Sequence, residues 1–138
     1  MNRSAIAITS FLTLLLAACG GSNSGGQSAV NGCTDFTDAT APAASRIVNF
    51  GGGQGNAYNP KCLAIAAGQS VMFSGSFSAH PLQPGVAPSS SGSGSGNNPI
   101  AATSTGNTAT FIFPTAGTYP YYCSVHQGVG MYGAVQVR

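Results

Sequence analysis

Tyr119-Pro-Tyr-Tyr-Cys-Ser-Val-His-Gln-Gly-Val-Gly-Met131 is the stretch on which both fold and chemistry turn. It places Cys123, His126 and Met131 in a Cys-x2-His-x4-Met pattern. A thiolate, an imidazole and a thioether are soft or borderline ligands. Met is a poor ligand for zinc, magnesium or calcium but a reasonable weak axial ligand for copper. A site with two His, one Cys and a long axial Met needs a second imidazole. The only other His in the chain is His80, in Phe77-Ser-Ala-His-Pro-Leu82. Taken singly, each residue has an ordinary reading: His80 as a satisfied half-buried His, Met131 as core filler, Cys123 as a buried apolar thiol. Together they use both His residues, one Cys and a Met at matching spacing.

Outward from this stretch the chain reads as strands. Arg46–Phe50, Cys62–Ala66, Ser70–Phe77, Thr108–Phe113, Thr118–Cys123 and Tyr132–Val137 are rich in β-favouring residues and bounded by Gly, Pro or Asn. No stretch shows a helical period with caps. Several short strands with Gly/Pro turns predict an all-β sandwich. Alternation puts Tyr119, Tyr121 and Cys123 on one face and Tyr122 on the other. Phe73, Phe77, Phe111 and Phe113 are expected in the core. His80 to Asn97 reads as a long irregular loop ending in a Ser/Gly run, inside the domain because ligands lie on both sides of it.

The run from Gly117 to Val137 resembles the C-terminal copper loop of the plastocyanin branch of the cupredoxins. Ala67 to His80 resembles the family's first-ligand segment, and the similarity covers roughly residues 45 to 138. The resemblance implies a Greek-key β-sandwich with one type 1 copper held by His80, Cys123, His126 and Met131, and Tyr119 at the Greek-key corner. It implies a carrier that passes one electron at a time between redox protein partners rather than an enzyme. It also implies that His126 is the ligand nearest solvent, with an apolar docking patch of Leu82, Pro84 and Val129 around it. Two positions depart from the plastocyanin pattern. Val125 stands where Pro is usual between Cys and His, and Pro81 follows the first His where Asn is usual. Pro has no N–H with which to join the ligand loops.

Only 4% of the 138 residues are charged, against about 25% in an ordinary soluble domain. That excludes a nucleic-acid footprint and a basic membrane patch. One domain is expected, and a monomer. Met1-Asn-Arg3 followed by the apolar run Ile6–Leu16 reads as a secretory signal, too short to span a bilayer. Leu16-Ala-Ala-Cys19 ends it like a bacterial lipobox, so Cys19 is expected to carry lipid. An ordinary cut near Ala18 is the alternative. The expected division is a signal over 1–18, a Gly/Ser/Asn tether over 19–31 and the cupredoxin domain over 32–138. The protein would then be periplasmic or at the cell surface, held to a membrane by its lipid alone. Of the four Cys, Cys33 and Cys62 are left without a role, and outside the cytoplasm they are expected to pair. A free Cys33 in a mobile tail is the alternative.

Three other functions use some of these residues. Nucleophilic catalysis by Cys123 with His126 needs an orienting acid, but the chain has only Asp35 and Asp38, both near the tether. Copper oxidase or nitrite reductase chemistry needs further His ligands, and none remain. Copper delivery by a metallochaperone uses the same four ligands and is the alternative to electron transfer.

Overall fold

The computed structural model describes residues 29–88 and 97–138. The expected signal (1–18), the tether through residue 28 with Cys19, and the Ser/Gly run at 89–96 lie outside the described residues. No helix among the described residues is long and apolar enough to cross a membrane.

The strands are β1 (Thr37–Asp38), β2 (Ile47–Phe50), β3 (Tyr58–Asn59), β4 (Cys62–Ile65), β5 (Ser70–Ser74), β6 (Leu82–Pro84), β7 (Thr108–Ile112), β8 (Gly117–Cys123) and β9 (Tyr132–Val137). They form two sheets, ordered β1-β4-β9-β8-β6 and β3-β2-β5-β7. Pairing is parallel for β1–β4, β4–β9 and β2–β5, and antiparallel elsewhere. The only helical pieces among the described residues are two three-residue 3-10 turns, Gly52–Gln54 and Gln127–Val129. The fold is therefore all-β, a mixed Greek-key sandwich. β1, β3 and β6 had no signature in the sequence reading. The first two have two residues each, and β6 is bracketed by prolines.

Period-two alternation builds the core. β2 turns Val48 and Phe50 inward, β5 Val71 and Phe73, and β8 Tyr119, Tyr121 and Cys123, while Tyr122 stays partly exposed. These side chains join Leu63, Ile65, Phe77, Phe113 and Val135 in one cluster. Each fully buried Leu, Val or Phe contributes about 1.5–3 kcal/mol. Tyr121 bridges the sheets, meeting Phe73 and Tyr58 edge-on with ring centroids 4.9 Å away in each case. Phe111 is less covered than its neighbours and packs partly buried against the cluster. At the β7–β8 corner the Tyr119 hydroxyl donates to the Thr115 carbonyl at 2.7 Å.

The N-terminal boundary differs from the sequence reading. The tether was expected to run through Asn31, yet Asn31 is buried and hydrogen-bonded inside the fold. The reason is local: Asn31-Gly32 forms a tight turn with positive φ at both residues (51° and 65°), and the Cys33 N–H returns to the Val30 carbonyl at 2.9 Å. Asn-Gly is the favoured pair for that backbone. Cys33 and Cys62 form a disulfide that fastens the turn to the start of β4.

Candidate metal centre

The centre lies where the segment after β5 and the loop from β8 to β9 meet. His80 precedes β6, and its N–H donates to the Ser76 carbonyl at 3.0 Å. Cys123 ends β8, and its N–H donates to the Met131 carbonyl at 2.9 Å. The residues between them form a closed loop, in which the His126 carbonyl accepts from both Val129 and Met131 N–H groups at 3.1 Å. Pro81 cannot donate, but its carbonyl accepts the Ser124 N–H at 3.0 Å. The His80 segment and the end of β8 are thus joined despite the missing donor.

Three donor atoms converge there. His80 Nδ1 lies 3.1 Å from His126 Nδ1, and Cys123 Sγ lies 3.5 Å from the same His126 nitrogen. All three ligand atoms fall within 4.8 Å of one another. Cys123 and Met131 are fully buried, His80 nearly so, and His126 partly exposed. Burial, and secondly the neighbouring His126, lower the His80 pKa below the ordinary value. His80 is therefore neutral at physiological pH, with a lone pair to offer. Two nitrogens and a sulfur facing one point, with the Met131 thioether buried just before β9, match the donor softness of copper and not of magnesium or calcium. Among the described residues no carboxylate belongs to this cluster, whereas an acyl-transfer triad uses one.

Two supporting residues were not singled out in the sequence. Gly51 sits against the back of the His80 ring, where a Cβ would lie 3.1 Å from Cδ2 and 3.2 Å from Nε2. Its φ of 68° is a left-handed value that also favours glycine. Tyr58 packs edge-on to Phe50, whose ring meets His80 at 6.1 Å. The Tyr58 hydroxyl is buried with no hydrogen-bond partner among the described residues. Only a Gly-rich break after a strand and an aromatic before Asn-Pro marked these positions, and neither pattern points to a particular His.

The expected docking residues separate. Val129 is 70% exposed and Val125 65% exposed, both beside His126. Pro84 is half-buried. Leu82 is 0% exposed and lines no surface. It pairs across β6–β8 with Cys123, so its side chain follows the Cys123 thiol into the core.

The model of the copper-binding proteins of the plastocyanin/azurin family matches residues 46–138. The chain belongs to that family. Its cofactor is copper. A plastocyanin from Prochlorothrix hollandica is 32% identical over 82 residues, which are 59% of this chain and 63% of that protein. The chain thus spans somewhat under two thirds of that relative. Among solved structures, oxidised plastocyanin from the fern Dryopteris crassirhizoma is 21% identical with a TM-score of 0.47, covering 67% of this chain and 99% of its own. Amicyanin from Paracoccus versutus is 20% identical with a TM-score of 0.45, covering 71% and 85%. His80, Cys123, His126 and Met131 form a type 1 copper-like site.

Proposed function

We propose that the protein is a type 1 copper electron carrier, with His80, Cys123, His126 and Met131 holding the ion. The observation that carries this reading is the convergence of two His Nδ1 atoms and the Cys123 sulfur within 4.8 Å. Bound copper would supply reversible one-electron Cu(I)/Cu(II) exchange. The chain supplies a mixed donor set, in which nitrogen suits one oxidation state and sulfur the other, so the protein need rearrange little. Neutral His80 offers its lone pair without first losing a proton. Buried Leu82 and Phe50 exclude water from the inner side. His126, partly exposed between Val125 and Val129, is the ligand through which electrons enter and leave. Partner redox proteins dock on that apolar surface, where a small and weak interface permits rapid release. The protein acts as a monomer and binds no nucleic acid. The signal over 1–18 exports it, and acylated Cys19 holds it to a membrane in the periplasm or at the cell surface.

Addition of copper(II) to the purified protein tests the reading. An intense visible thiolate-to-copper absorption that ascorbate bleaches is expected. Cys123→Ser should abolish the band. Met131→Leu should keep the band and shift the reduction potential, because a thioether would be a weak ligand to the ion. A coloured Cys123→Ser variant would refute the site. A coloured wild-type protein with no reversible voltammetric wave would leave copper delivery as its role.

A further inference from the structure

We propose that Asn31 is a positioning residue for the metal centre, reaching all three ligand-bearing segments from behind with one side chain. The inference rests on the copper reading for its loaded-state measurements. Asn31 is 4% exposed. Its Nδ2 donates to the carbonyls of Tyr121 and Gly133, each at 2.9 Å, and of Gly85 at 3.2 Å. Its Oδ1 accepts the Ala87 N–H at 2.8 Å. Tyr121 stands two residues before Cys123. Gly133 stands two residues after Met131 and faces Tyr121 across β8 and β9. Gly85 and Ala87 continue the segment that starts at His80 and runs through β6.

At the metal end these segments are already tied by the Cys123–Met131 and Ser124–Pro81 backbone bonds. Farther back they are tied by the β8–β9 and β6–β8 ladders. Asn31 adds a side-chain clasp to those ladders at Tyr121, Gly133 and Gly85, and the direction in which a ligand projects is what such outer contacts control. The Asn31-Gly32 turn and the Cys33–Cys62 disulfide hold the amide in place. This turn precedes residues 46–138, the part that the family model matches. The clasp is therefore supplied by chain that precedes the matched segment. Asn fits the task because its two N–H donors, one of them shared with the longer Gly85 contact, serve three carbonyls while its oxygen accepts from Ala87, and because it tolerates the left-handed backbone.

The test compares Asn31→Ala and Asn31→Asp in the whole protein. Asp keeps the shape and the acceptor for Ala87 but turns a carboxylate toward three carbonyl oxygens, so it should be the worse of the two. In the metal-free protein, hydrogen exchange at the Cys123 and Met131 amides should quicken about tenfold, the equivalent of one or two lost hydrogen bonds. The Val48 and Phe73 amides, on the other sheet, should not change. With copper(II), both variants should shift the visible band and the reduction potential. Unchanged exchange and potential in both variants would overturn the proposal. So would an Asp variant that behaves like the parent, or an acceleration spread equally to Val48 and Phe73. If Asn31→Ala does not fold, Asn31→Ser, which keeps one short donor, takes its place, and collapse of that variant too would make Asn31 a general folding residue and overturn the positioning role. A colourless parent protein would sink the copper reading, while the exchange contrast would still decide the role of Asn31.

Discussion

Gly51 and Gly52 offer a controlled pair at the residue scale. Both have left-handed φ, 68° and 52°, but a Cβ at Gly51 would meet His80, whereas one at Gly52 would meet nothing within 4 Å. Alanine at Gly52 should cost about 1–2 kcal/mol through the backbone alone, and at Gly51, whose ψ of −170° lies in a region almost confined to glycine, about 1–3 kcal/mol. Only Gly51→Ala should also push the His80 ring, weaken copper retention and alter the visible band. Thermal unfolding of the metal-free variants and titration with copper(II) separate the two effects, and equal copper retention by both variants would deny Gly51 its part. The same residues show what a sequence reveals. Cys123, His126 and Met131 were legible because their chemistry and spacing are written within nine consecutive positions. Gly51 and Asn31 act on residues distant in the chain, so no local pattern records what they touch. For Asn31 one sign existed, the Asn-Gly pair, but composition placed it in a tether.

Among the elements, β6 carries a buried neighbour of Cys123 and the turn over Gln127–Val129 an exposed one of His126. β6 was not legible, since Pro81 and Pro84 bracket it and the orientation of Leu82 is decided by pairing with Cys123. Leu82→Ala should destabilise the fold by about 2–5 kcal/mol, as for a buried aliphatic side chain that leaves a cavity. Val129, exposed on the turn, should behave differently. Val129→Glu should leave stability within about 0.5 kcal/mol and leave the visible spectrum unchanged. It should also slow second-order electron transfer with the partner. With so few charges on the chain, the parent rate should depend little on salt. Denaturant unfolding and stopped-flow mixing measure the two outcomes. An unchanged transfer rate for Val129→Glu would place docking elsewhere.

For the whole molecule, the packed rings set a limit at high pH. Burial raises the Tyr121 pKa far above its ordinary 10.0. Burial, then the nearby Cys123 and Tyr121, do the same for Tyr58. In the unfolded chain both phenols ionise near pH 10. The folded state then binds more protons than the unfolded state, so stability is complete below about pH 10 and falls as pH rises past it. Phenolate absorption from Tyr58 and Tyr121 should therefore appear only as near-UV circular dichroism is lost. Ionisation of all five tyrosines in a protein that keeps its dichroism would contradict this. The sandwich class was legible because alternation and turn residues are local, whereas strand order is not. The position of β9 is the case in point. It is the last strand in sequence yet lies between β4 and β8, pairing Cys62–Ile65 with Ala134–Val137. Until β9 docks, its sheet is two separate fragments and Met131 is unanchored. Contacts across such sequence distance form slowly. The time a newly made chain needs before it can take up its metal should thus be set by β9.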